Sequence, residues 1–96
     1  MMQEYLVSVD AAALAMNPGF LRLRLHGEIF EDSRAQLLGV TGTRQCYCWY
    51  LVPHDDLSKV IDRLQEGLPD TVEIQVRRAT LDSVPESLLK EYILRK

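Results

Sequence analysis

Gln45-Cys46-Tyr47-Cys48-Trp49-Tyr50-Leu51-Val52, closed by Pro53, is the stretch whose reading decides the fold. It is dense in aromatic and β-favouring side chains and reads as a strand. Downstream, Leu57, Val60, Ile61, Leu64 and Leu68 recur at helical spacing and paint one stripe along a helix over Asp55–Glu66. Asp55 and Asp56 stand where the helix dipole favours negative charge, and Gly67 where a left-handed residue would end the helix. Past Pro69-Asp70, Val72, Ile74 and Val76 alternate with Glu73, Gln75 and Arg77, the period of a half-buried strand. A strand–helix–strand unit of this length is a right-handed crossover, which places its two strands parallel to each other in one sheet.

Working outward, Gln3 to Val9 reads as a first strand, with Tyr5, Val7 and Val9 on one face and Leu6 and Ser8 on the other. Asp10 can cap a short helical turn over Ala11–Met16, which Asn17-Pro18-Gly19 ends. Phe20 to His26 alternates Leu21, Leu23 and Leu25 with Arg22, Arg24 and His26, giving a leucine face and a basic face. Two readings fit Glu31 to Thr43. Ser33-Arg34-Ala35-Gln36 matches a capping box and would start a short helix through Leu37 and Leu38. Alternatively Ala35 to Val40 is a strand, turned through Thr41-Gly42-Thr43 into the cysteine strand. Toward the end, Ser83-Val84-Pro85-Glu86 is a second capping box. Val84, Leu88, Leu89, Tyr92 and Ile93 form the stripe of a helix over Val84–Leu94.

These elements add up to an α+β two-layer sandwich. It has a mixed sheet of four or five strands with the helices Asp55–Glu66 and Val84–Leu94 packed on it. A ferredoxin-like arrangement is one member of that class, for which the alanine run is a weak helix. Ninety-six residues, 47% hydrophobic and 26% charged, form one domain over 1–96. No run is long and uncharged enough to span a bilayer, and the first residues lack the basic region of a secretory signal. Cys46 and Cys48, two apart on one strand, lie near or beyond the usual disulfide Cα range of about 4.4–6.8 Å. A reduced, cytoplasmic protein is the expectation.

Chemistry-bearing patterns are sparse. Cys46 and Cys48 could offer two thiolates to a metal with His26 and His54, but the spacing brings no four ligands together, and packing beneath the central helix suits them better. His54-Asp55-Asp56 downstream of Cys48 has the residue types of a cysteine–histidine catalyst, and equally those of a helix start. Glu28, Glu31 and Asp32 cluster without the loop spacing of a calcium site. No catalytic residue, cofactor or metal is implied. The strongest pattern is a sheet face carrying Arg22, Arg24, Tyr47 and Trp49 beside Glu73, Gln75 and Arg77. Arginine and aromatic residues are enriched at protein interfaces, and the same types stack on single-stranded nucleic acid. Alternatively, the helix after Ser33 or Ser83 covers this face and buries Trp49 in a second core. The net charge of −3 disfavours nucleic acid. A small non-catalytic interaction or regulatory module is therefore expected. It would self-associate through a sheet face or the C-terminal helix, with a homo-oligomer or protein partner, RNA or single-stranded DNA as the alternative, and no membrane.

The stripe on the central helix gives a direct test. Leu64→Ala should cost about 2–5 kcal/mol in urea melts. Lys59→Ala should stay within about 0.5 kcal/mol. Equal losses would place the apolar stripe on the wrong face.

Overall fold

The computed structural model describes residues 3–10, 33–42, 46–68 and 72–95, and these residues form four strands and two helices. The strands are β1 (Glu4–Asp10), β2 (Gln36–Thr41), β3 (Tyr47–Pro53) and β4 (Ile74–Arg78). Helix α1 is Leu57–Gly67, entered through a 3₁₀ turn at His54–Asp56; α2 is Leu89–Leu94, entered through a 3₁₀ turn at Glu86–Leu88. The sheet order is β2-β3-β1-β4. Every neighbouring pair is antiparallel. β3 and β4 therefore run parallel to each other, as the crossover demands, but β1 lies between them. The sheet expected to be mixed has no parallel neighbours for that reason. Its order and directions are those of a ferredoxin-like sheet. The expected turn at Ala11–Met16 and strand at Phe20–His26 lie outside the described residues.

Alternation along the strands sorts side chains into two cores. Val7 and Val9 of β1 and Tyr50 and Val52 of β3 join Val60 and Leu64 of α1, with Ala35, Leu68 and Val72 completing the cluster. Leu64 is 0% exposed at its centre. On the other face, Leu6, Leu38 and Leu51 pack against Val84, Leu88 and Tyr92. The helices thus hold the α+β sandwich from opposite sides, and α2 adds a layer over a face that two layers alone would leave open. The expected stripe of α2 holds for Val84, Leu88 and Tyr92. Ile93, however, is 57% exposed, because a helix this short turns only part of its circumference to the sheet.

Of the two readings of Glu31–Thr43, the strand is the one observed. Ser33 Oγ accepts from the Ala35 amide at 3.3 Å, and the Arg34 amide donates to Asp56 Oδ2 at 3.0 Å. Those amides are satisfied without a helix, so the capping box is not used. Gly42, at φ 90°, supplies the left-handed residue after β2. The second box also fails as a cap: Ser83 Oγ instead accepts from the Thr80 amide at 2.8 Å and donates to the Arg78 carbonyl at 2.7 Å. Ser83 thereby ties the turn after β4, and the 3₁₀ turn starts behind Pro85. Gly67 corrects a third expectation. It is the last residue of α1, and the chain leaves at Leu68 (φ −116°, ψ 148°), whose amide still donates to the Leu64 carbonyl. Burial of the Leu68 side chain in the first core, rather than a left-handed glycine, directs the exit.

One glycine is needed for packing. Leu37 meets the α1 core and Leu38 the α2 core, and the β2–β3 register shift between Leu37 and Gly39 turns Gly39 toward the α2 core as well. Gly39 then lies beneath Leu88, and a Cβ there would fall 2.6 Å from Leu88 Cδ2. Gly39→Ala should destabilise the protein by about 1–3 kcal/mol, the usual cost of overpacking. In a Leu88→Ala background the same change should cost clearly less. Equal costs in both backgrounds would show that the two residues do not compete for space.

Candidate interaction surfaces

Tyr47 and Trp49 share the α2 side of the sheet, as their alternation with Cys48 and Tyr50 requires. Trp49 packs against the margin of the second core, and its indole Nε1 donates to Thr41 Oγ1 at 2.7 Å. Tyr47 is half-buried one pair further along, opposite Thr41 on one side and Asp10 on the other. Arg22 and Arg24 lie outside the described residues, so the structure brings together only the aromatic half of the expected face.

The other candidates have local partners. Cys48 packs into the α1 core, and Cys46 Sγ donates to the Gly42 carbonyl at 3.4 Å. His54 sits at the edge of β3 with its ring 5.8 Å from that of Tyr5. Asp56 is engaged by Arg34, whose Nε lies 3.5 Å from Oδ2, while Arg34 NH2 reaches Asp55 at 3.9 Å. The histidine–aspartate group thus serves the joint between the start of β2 and the start of α1. Glu28, Glu31 and Asp32 lie outside the described residues. Among the described residues, no group of three or more His, Cys, Asp or Glu side chains is placed to hold a metal ion. None of their helices is long and apolar enough to cross a membrane.

The sheet has two edges, and they differ. β2 is irregular at Leu38, and the end of α2 reaches over it, with Arg95 NH1 donating to Gln36 Oε1 at 2.8 Å. Bulges and charged side chains of this kind blunt an edge against further pairing. β4 is regular and exposed: Gln75, Val76, Arg77 and Arg78 all face solvent, and Val76 is 44% exposed. Along its α2-side row, Gln75 Nε2 donates to Glu73 Oε1 at 2.9 Å and Arg77 NH2 to Gln75 Oε1 at 3.2 Å. Acid, amide and base therefore follow one another on one face. Sequence alternation contains this row, but the edge position of the strand depends on β1 entering between β3 and β4. No protein-family model matches the chain, and no curated protein matches its sequence.

The Asp56 contact has a consequence for stability. The Arg34 amide holds the Asp56 carboxyl below its ordinary value, helped by the charges of Arg34 and Lys59 and opposed by partial burial. A carboxylate with a depressed native pKa stabilises the fold above its unfolded pKa of about 3.9 and loses that contribution as pH falls through the native value. Urea melts of wild type and Asp56→Asn should differ most above about pH 5 and converge as the pH drops through the native-state pKa. A constant difference across the acid range would show that the charge of Asp56 is not involved.

Proposed function

We propose that the protein is a small interaction module without catalysis of its own, and that it acts by associating with a second copy of itself. The observation that supports this reading best is the open β4 edge, a regular strand with an exposed valine and unguarded by any described element. Exposed regular edges recruit further strands. The C-terminal helix adds to the case through Ile93 and Leu94, 57% and 69% exposed on its outer side. The sheet face around Tyr47 and Trp49 supports it less, since the indole is half-buried and its N–H is already bonded.

Light scattering and sedimentation over roughly 1–100 µM test this directly, since that span covers the affinities typical of modest self-association. The expected result is a mass that rises with concentration from the chain's 11.0 kDa toward twice that value. A constant 11.0 kDa across the range would overturn the reading. Titration with mixed-sequence oligonucleotides at two salt concentrations addresses nucleic acid, and no salt-dependent binding is expected.

A further inference from the structure

The hydrogen bonds that attach β4 to β1 fix which of its backbone groups remain available. The Asp10 amide donates to the Glu73 carbonyl at 3.2 Å, and the Ala79 amide to the Glu4 carbonyl at 2.9 Å. In an antiparallel ladder such bonded pairs recur at every second residue. Glu73, Gln75, Arg77 and Ala79 therefore turn their N–H and C=O groups inward to β1. Ile74, Val76 and Arg78 turn theirs outward, and the Arg78 carbonyl is already taken by Ser83 Oγ at 2.7 Å. Among the described residues, the groups left for a new strand centre on Ile74 and Val76.

We propose that two copies of the chain pair antiparallel along β4 about a two-fold axis at Gln75, joining their sheets into one. This rests on the self-association proposed above and names its interface. A two-fold antiparallel pairing places each residue opposite the one equally far beyond the axis. With the axis at Gln75, Ile74 lies opposite Val76 of the other copy, and the two exchange N–H···O=C bonds twice by symmetry. Glu73 lies opposite Arg77 of the other copy, and Arg77 opposite Glu73. These are non-hydrogen-bonded pairs, whose side chains approach most closely. The Glu73-Gln75-Arg77 row is thus its own complement, and the exposed Val76 gains an apolar neighbour on the α1 side.

Shifting the axis loses these matches. Centred on Val76, the pairing sets Arg77 against Gln75 and calls on the occupied Arg78 carbonyl. Centred on Ile74, it sets Glu73 against Gln75 and leaves Arg77 without an acid. Of the three axes, the one at Gln75 sets Glu73 against Arg77 and uses the outward backbone groups of Ile74 and Val76 together. The same geometry gives an isologous, closed interface rather than an open filament.

The test is a charge swap read by sedimentation, with thermal melts confirming that each variant folds. Arg77→Glu and Glu73→Arg each convert two attractive cross-strand pairs into repulsive ones, and each should weaken the dimer about tenfold or more. The double variant Glu73→Arg/Arg77→Glu restores opposite charges in reversed order and should recover an affinity within about threefold of wild type. Val76→Pro removes an outward N–H without touching the ladder to β1, so the dimer should be lost while the fold persists. A wild-type dimer indifferent to all of these substitutions would overturn the β4 pairing while leaving self-association standing. Single swaps that weaken the dimer without recovery in the double variant would overturn the Gln75 axis. A wild type that is monomeric throughout would defeat self-association itself.

Discussion

Burial of β1 on both faces is the constraint on which the rest of this fold depends. Its alternation sends Val7 and Val9 to one core and Leu6 to the other, and all three are essentially sealed from solvent. Full burial of such side chains is worth about 1.5–3 kcal/mol each, so a central position for this strand is strongly favoured over an edge. A central strand needs a neighbour on each side. β3 and β4 both run antiparallel to β1, hence parallel to one another, and the chain must cross the sheet to connect them. Helix α1 makes that crossing with Val60 and Leu64 turned inward, which determines the face it covers. The opposite face needs a different cover, and Val84, Leu88 and Tyr92 supply it.

What was legible in the sequence is what local periodicity encodes. The α1 stripe, the alternation of β3 and the opposition of Trp49 to Cys48 and Tyr50 each follow from spacing alone. Three helix-terminus signals fare differently, because local spacing does not show what else will bond to those groups. Ser33 and Gln36 match a capping box, but Asp56, twenty-two residues away, takes the Arg34 amide and the chain continues as a strand. Ser83 also matches one, yet its hydroxyl serves the turn that begins at Thr80. Gly67 suits a left-handed cap, but Leu68 has a core to enter and goes there in an extended conformation. Tertiary partners override local motifs worth about 1 kcal/mol. The candidate face was legible in parity only, because the sequence leaves open whether the helix after Ser33 or Ser83, or none, lies over Trp49.

The two edges show how little separates a guarded strand from an open one. At β2, a one-residue irregularity turns Gly39 to the same side as Leu38, toward the second core, and Leu88 fills the space over Gly39. That packing brings the end of α2 to the β2 side, where Arg95 meets Gln36. A short helix cannot also shelter the far side of the sheet, so among the described residues the contacts that close one edge leave the other exposed. β4 carries charge, a common device against unwanted pairing. A row of like charges would repel every incoming strand, including a second copy of itself.

The row on β4 is not of that kind. Glu73, Gln75 and Arg77 read acid, amide, base along one direction, and any strand read backwards presents the reverse order. Antiparallel pairing with a second copy is the arrangement that supplies that reversal, so in the proposed dimer the pattern would discriminate against misaligned strands while favouring its own. Within one copy the row is satisfied by contacts two residues apart, Gln75 to Glu73 and Arg77 to Gln75. These contacts lie at the surface, where exposed polar pairs contribute little and exchange readily for cross-strand equivalents. The proposed pairing would therefore give up little polar energy, and would gain backbone hydrogen bonds at Ile74 and Val76 together with cover for an exposed valine. In the proposed pairing, specificity would reside in the charges, and affinity in the backbone and the apolar row behind it.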